Sequence, residues 1–384
     1  MKNQETGIAP GMPIRELLRA GKPWEQTTDR QVRMAVVGGG FGTGFHWHEH
    51  PNARVVAVAD PRPDRLASLV ERYGCTKTYD DLEKVLQDDE VEAVAIFSPA
   101  PDHARHCVAA MEAGKDVFCA VPACLTLDEA QMLVQVKEST GRKYMMAETS
   151  YYIWETILAR FMVQAGSFGE LVYTEGEYYH PLAGAEKQVL WFHEGKPTWR
   201  YGFPPMHYPT HSTAFLVGVT GERIARVACL GWGPGDDWTS DNAYNNPFSN
   251  QVSLCLTDQG HLFRCNVCWQ IKAFGERAQW FGTEAALYMA SGAGQPYLIT
   301  SEKDGDITER PDYWHMVPPG MRYDSGHACS HPFLTHEFVM AIVEDREPAI
   351  NIYEALAMTV PGIVAHQSAL RGGEQLEVPD FSPK

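Results

Sequence analysis

Three short segments of this chain carry residue types able to move protons or hold a phosphate. Tyr178-Tyr179-His180 and Tyr208-Pro209-Thr210-His211 offer phenols and imidazoles, which serve as general acids or bases once their surroundings tune them. Gly38-Gly39-Gly40-Phe41-Gly42-Thr43-Gly44 follows the apolar run Met34 to Val37 and precedes a polar, histidine-rich helix start. A glycine turn between strand and helix lets backbone N–H groups approach a pyrophosphate. Gly38 and Gly40 take the first two positions of G-x-G-x-x-G, and Thr43, flanked by Gly42 and Gly44, takes the third. Asp60 closes the next apolar run, Val55 to Ala59, where a carboxylate accepts hydrogen bonds from the adenine ribose hydroxyls. An acid there repels a 2′-phosphate, so the expected cofactor is NAD rather than NADP. Arg62 is the residue of that loop able to neutralise such a phosphate. The alternative is a phosphate-free turn.

These residues need a scaffold, and the apolar pattern supplies one. Met34–Val37, Val55–Ala59, Val91–Phe97, Val117–Cys119 and Tyr144–Met146 read as short buried strands. Helical patterning falls between them at Asp64–Tyr73, Leu82–Leu86 and Leu125–Glu138. Short buried strands alternating with helices predict a doubly wound parallel sheet. Ser98-Pro99 and His103 then stand at the end of a central strand, beside the crevice that holds ligands in such sheets. After about Thr149 a helix, Ile153–Ala165, leads into longer runs: Leu171–Tyr179, Arg223–Leu230, Val252–Leu256 and Leu262–Ile271. They predict a large open mixed or antiparallel sheet. Phe263, Cys265, Val267 and Trp269 alternate as one apolar face, and helices Pro332–Val343 and Ile352–Leu370 close the chain. The expected organisation is an α/β protein with an N-terminal extension (1–32), a Rossmann domain (33–148) and a substrate-binding and oligomerisation domain (149–384).

Composition narrows the function. Of 384 residues, 44% are hydrophobic and 21% charged, a folded globular balance. The net charge of −17 disfavours nucleic acid and anionic membranes as partners. No apolar run is long enough to span a bilayer and residues 1–32 show no signal-peptide core, so a cytoplasmic location is expected. The nine scattered cysteines read as reduced thiols, and Cys265 and Cys268 point to opposite faces of a strand.

No metal is expected. Pro209 separates His207 from His211, so the pair does not share a helical face, and His46, His48 and His50 lack the partners of a tetrahedral set. Trp199 and Arg200 pair an aromatic face with a guanidinium, a combination suited to sugar recognition; the alternative is a core tryptophan and an ion pair. His207 and His327 are further candidates for substrate contact. Lys187 and Lys196 leave room for a carboxylate or sulfonate on the sugar.

The Rossmann order, with the Ser98-Pro99 and Val121-Pro122 turns in sequence and a mixed-sheet domain after them, resembles the Gfo/Idh/MocA oxidoreductase superfamily along nearly the whole chain. Four local matches resemble its NAD-dependent glycoside hydrolases related to α-N-acetylgalactosaminidase. These are Val121-Pro122-Ala123 in place of Lys-Pro, Glu148 after Met145-Met146, Tyr178-x-His180, and Tyr208-Pro209-Thr210-His211, the most specific. Ala120 and Ser212 depart from the glutamate and glycine that group tends to carry. The resemblance implies transient oxidation at C3 of a sugar, loss of the C2 proton, elimination of the C1 group and addition of water, with no flanking carboxylate pair required. It places His211 near C3 with Tyr208 beside it, Tyr178 and His180 at the C2 proton and leaving group, and Glu148 orienting a sugar hydroxyl or the tyrosine.

Each residue has a structural alternative: a half-buried strand face for Tyr178 and His180, a solvated strand end for Glu148, a helix start for His211. The competing functions are a pyranoside 3-dehydrogenase that releases a 3-keto sugar, and a non-catalytic NAD-binding sensor. The partner expected is a small glycoside or sugar. The open face of the second domain's sheet, including the Phe263–Trp269 stripe, needs cover, which calls for a homodimer or homotetramer built through that sheet.

Overall fold

Six short strands, β1 (Val32–Val37), β2 (Ala53–Ala59), β3 (Thr78–Tyr79), β4 (Ala93–Ile96), β5 (Asp116–Cys119) and β6 (Tyr144–Met146), form a sheet in the order β3-β2-β1-β4-β5-β6. Every pairing is parallel. All four residues of β4 are buried, as helices on both faces require, and this is why the strands read as unbroken apolar runs. The computed structural model describes residues 7–181, 188–292 and 294–383. The chain falls into two compact units: residues 22–153 with 313–356 and 383–384, and residues 1–21 with 154–312 and 357–382.

In the parallel-sheet unit the helix Leu127–Thr140 starts two residues later than its apolar pattern suggests. Thr126 and Glu129 form a capping box there, and left-handed Gly141 ends the helix, satisfying backbone groups that the helix leaves open. The helix expected after the glycine turn does not form. Two 3₁₀ turns, Gly42–Gly44 and Trp47–Glu49, take its place, separated by left-handed His46. Phe45 and Trp47 are fully buried; Phe45 packs on Phe97 and Phe118, and Trp47 on Phe118. The segment 313–356, expected with the second domain, groups with the parallel sheet. Its helix His331–Val343 docks by a hydrogen bond from Thr335 Oγ1 to the Phe45 carbonyl (3.0 Å) and by Phe338 against Trp47 and Phe118.

The second unit holds β7 (Leu171–Tyr179), a ribbon of β8 (Phe192–His193) and β9 (Lys196–Pro197), and β10 (Ile224–Trp232), β11 (Asn250–Thr257), β12 (Leu262–Cys268), β13 (Gly275–Gly282), β14 (Ala285–Tyr288), β15 (Leu298–Ser301) and β16 (Leu376–Glu377). Its mixed sheet runs β15-β14-β13-β7-β12-β11-β10-β16. The pair β7 and β12 is parallel, and the other neighbours for which a register is defined are antiparallel. Within the N-terminal extension, Ile14 and Leu17 are fully buried, and Gly11 N–H bonds the Ala165 carbonyl at 2.8 Å.

One expectation is corrected by packing. Phe263, Cys265, Val267 and Trp269 are at most 5% exposed, because the helix Thr210–Thr220 of the same unit lies against β7, β12 and β13. That stripe needs no second chain. The opposite face is the open one, with Leu230, Trp232, Leu254 and Leu262 more than half exposed, beside the ion pairs Arg264–Glu175 and Arg277–Glu177. Among the described residues no helix is long and apolar enough to cross a membrane.

Candidate active site

Strand alternation sends Glu177 and Tyr179 to the outer face of β7 and Tyr178 to the inner one, where Tyr178 is 6% exposed. The helix Thr210–Thr220 can start against this strand because residue 176 is glycine. A Cβ there would lie 2.4 Å from the Ser212 carbonyl oxygen. The same approach is fixed by Ser212 Oγ donating to the Asn266 carbonyl (3.0 Å) and Thr213 Oγ1 to that of Met358 (2.8 Å). His211, in the first turn of the helix and buried, is thereby brought over Tyr178.

The two tyrosine–histidine segments, 30 residues apart, form one cluster. Ring centroids of Tyr178 lie 4.5 Å from His211, 5.7 Å from His180 and 6.0 Å from Tyr208. Tyr208 and His211 are 5.3 Å apart. Trp269 stands edge-on to Tyr178 at 5.8 Å, held by its indole N–H on the Phe203 carbonyl (3.0 Å). Glu276, which no motif singles out, is the register partner of Tyr178 on β13. Its Oε1 lies 3.6 Å from His211 Nδ1, with both side chains nearly buried. Two phenols, two imidazoles and a carboxylate in one recess can accept, hold and return a proton.

Tyr178, His180, Arg200, Phe203, Tyr208 and Trp269 line one small cavity of about 20 Å³. The Arg200 guanidinium lies 4.2 Å over the Trp199 ring, and Trp199 meets Phe203 edge-on. His207 is not in this group. It packs against His366 at 4.9 Å, and burial together with that second histidine pushes its pKa down to about 3. Lys196 is exposed on β9, and Lys187 lies outside the described residues.

The parallel-sheet unit carries its own set. Gly38 takes φ +105°, a conformation that glycine adopts without strain, and a Cβ on it would sit 2.7 Å from the Phe97 carbonyl oxygen. A Cβ on Gly39 would sit 2.3 Å from the Arg65 carbonyl oxygen. Gly40 is clear, with the Arg65 guanidinium nearest at 3.7 Å. Asp60 Oδ2 accepts from Gly39 N–H (2.7 Å) and its Oδ1 from Arg62 N–H (2.8 Å), so the acid also braces the turn. Among the described residues Gly40 and Phe41 N–H have no protein acceptor. A cradle that tolerates no Cβ, two open N–H donors and an adjacent carboxylate fit a dinucleotide. Arg62 meanwhile spends its guanidinium on Asp64 (2.6 and 3.1 Å).

His103 joins the turns after β4 and β5. Its Nδ1 lies 2.7 Å from the Pro122 carbonyl oxygen and its Nε2 2.9 Å from that of Ser98. Pro99 follows Ser98 and caps the 3₁₀ turn Ala100–Asp102 that precedes His103. Val121 is 7% exposed and leads into a cis peptide bond with Pro122. Glu148, fully buried, accepts from Ser150 N–H (2.8 Å). His327, in a left-handed turn, belongs beside the glycine turn: it packs on Phe41 at 5.6 Å and its Nδ1 is 3.3 Å from Nε2 of His331, whose Nδ1 faces the Gly44 carbonyl. Thr43 occupies the 3₁₀ turn between them. His46 stacks on Tyr323 and lies 5.8 Å from His48, which faces Glu49, while His50 meets His336.

A parallel sheet with a glycine cradle, followed by a mixed sheet, defines a class of nicotinamide-dependent enzyme. Residues 32–148 match the oxidoreductase family with an NAD-binding Rossmann fold, and NAD is the cofactor. The fold matches that of an oxidoreductase domain protein from Kribbella flavida, with a TM-score of 0.75 at 18% identity over 91% of this chain and 100% of the other. It also matches levoglucosan dehydrogenase in complex with NADH, with a TM-score of 0.76 at 16% identity over 92% and 100%. A glycosyl hydrolase family 109 protein of Stenotrophomonas maltophilia is 32% identical over 92% of this chain and 89% of its own length. The chain belongs to glycosyl hydrolase family 109.

Proposed function

We propose that this family member cleaves a glycoside by a redox-neutral route: transient oxidation at C3, loss of the C2 proton, elimination at C1 and addition of water. NAD, when bound, supplies a reversible hydride acceptor. The protein's part is proton handling, and the observation that carries the reading is the cluster of Tyr178, His180, Tyr208 and His211 backed by Glu276. His211 takes the C3 hydroxyl proton as hydride leaves the carbon, with Glu276 steadying the imidazole that gains charge and Tyr208 beside it. Once C3 is a carbonyl, the C2 proton is acidic enough for a modest base. Tyr178 removes it, and His180 serves the departing C1 oxygen. Glu148, fixed by Ser150, orients a sugar hydroxyl. Gly38, Gly40, Phe41, Gly42 and Thr43 hold the pyrophosphate, and Asp60 the adenine ribose. Ser98, Pro99, His103, Val121 and Pro122 shape the cofactor crevice.

A 3-dehydrogenase is the competing reading, supported by fold likeness to levoglucosan dehydrogenase. Val121, which carries no proton, stands where the resemblance puts the lysine of the dehydrogenases, and this favours the hydrolase. Incubation with aryl glycosides, following phenol release and NADH absorbance together, separates them. Phenol release without net NADH, with deuterium at C2 of the product in heavy water, is the expected outcome. Accumulating NADH with a 3-keto sugar identifies the dehydrogenase, and cleavage without deuterium at C2 overturns the elimination.

A further inference from the structure

We infer that the sugar this site accepts carries an anionic oxygen group, a carboxylate or a sulfate, received by Arg200. The inference rests on the reading above, since it assigns the substrate class of the same cavity. Arg200 lines the wall with Tyr178, His180 and Tyr208. Its guanidinium is fixed in place by the Trp199 face at 4.2 Å, and Trp199 is fixed in turn: its carbonyl accepts from Tyr244 Oη (2.6 Å), and its ring meets Phe203. Among the described residues the guanidinium has no carboxylate within ion-pair distance and donates to no acceptor.

Four other arginines of the chain are held differently. Arg264, Arg277, Arg310 and Arg346, also in polar clusters, are each tied to glutamate. With a net charge of −17 the chain does not lack acids to pair with Arg200. A stacked guanidinium keeps its N–H edge outward, and that edge matches the oxygens of a carboxylate or sulfate in a paired, charge-assisted geometry. A neutral sugar hydroxyl uses only part of it. The other lining groups are aromatic rings and His180, so Arg200 is the fixed positive charge of the wall.

The test uses the intact, NAD-loaded protein and matched nitrophenyl glycosides in both anomers: the neutral hexoside, the corresponding hexuronide and the 6-sulfate. The expected result is kcat/KM about tenfold or more higher for one of the charged members, the size a charge-assisted hydrogen bond provides. The gap between hexuronide and sulfate identifies the anion. Arg200→Met should erase the preference mainly through KM, and Arg200→Lys should restore part of it. Calorimetric binding of the methyl hexoside and methyl hexuronide is measured in parallel. Cleavage with no charge preference, or a preference unchanged in Arg200→Met, overturns the inference and leaves the hydrolase reading standing. Preferential binding of the hexuronide without cleavage sustains the inference and sinks the hydrolase reading. No binding of either overturns the inference.

Discussion

The glycine turn of the parallel sheet and the tyrosine–histidine cluster of the mixed sheet are held by different means. The turn is a backbone object: Gly38 and Gly39 approach the backbone of Phe97 and Arg65 at distances that admit no Cβ, and Asp60 bonds directly to Gly39 N–H. The cluster is a side-chain object, assembled by ring packing around Tyr178 and dependent on the backbone at one place, Gly176 beneath Ser212. The difference suits the two tasks. In the redox-neutral cycle proposed, a cofactor that stays bound calls for a rigid cradle. Proton transfer calls for side chains whose protonation can alternate.

The largest effects should come from filling the two glycine positions. Gly39→Val should abolish retention of NAD, read as the nucleotide released on denaturing the purified protein, because its first side-chain carbon already overlaps the Arg65 carbonyl. Gly176→Ala should keep NAD while losing turnover, because the shifted helix start carries His211 away from Tyr178. If Gly176→Ala releases NAD as well, the two regions are not separable.

Next in size are the proton carriers. Tyr178→Phe and His211→Ala should each lower turnover by about 10²- to 10⁴-fold, the usual cost of losing an acid–base group. They should differ in kind. Tyr178→Phe should suppress C2 exchange in heavy water more than hydride removal from C3, and His211→Ala should suppress hydride removal first. Equal loss of both in both variants would break the division of labour.

The parallel sheet and both chemical segments were legible in the sequence because their signals are local. Buried strands read as apolar runs, and Tyr178 with His180, or Tyr208 with His211, sit within four residues of one another. What was not legible depends on pairing. Strand β13 mixes polar and apolar residues between two glycines, and β14 and β15 are four residues each, too short for a periodicity to mark them. Glu276 becomes a neighbour of His211 only because β13 pairs with β7 in a register that sets it opposite Tyr178. The helix that fails after the glycine turn gives way to burial of Phe45 and Trp47. The Phe263–Trp269 stripe was seen, and its cover was missed because the helix Thr210–Thr220 is buried at nearly every position, its polar residues included, so no polar stripe says which face meets the sheet.

On the mechanism proposed Glu276 is a positioning residue, and its loss should cost less than that of the groups it supports. Glu276→Gln should reduce kcat about tenfold with little change in KM, since a neutral amide steadies an imidazole that gains charge less well than a carboxylate. Glu276→Asp should recover part of the rate. A change in KM alone would assign Glu276 to substrate binding.

The smallest effect on catalysis should come from the outer face of the mixed sheet, where we propose that a second copy of the chain docks. Leu230 and Leu254 are 65% and 64% exposed, and Trp232 and Leu262 each 56%. Register sets Leu230 opposite Val252, and Leu256 opposite Leu262, on adjacent strands. A contiguous apolar patch on a sheet face marks an interface more often than a solvated surface. The ion pairs Arg264–Glu175 and Arg277–Glu177 lie across the neighbouring strands of the same face, and a two-fold axis can present such paired charges to their own copies without leaving one unmatched. Leu254→Lys should therefore lower the mass measured by light scattering to that of one chain at micromolar concentration, while per-chain turnover of aryl glycosides stays within about twofold of the parent. A parent protein already monomeric at that concentration would remove the interface.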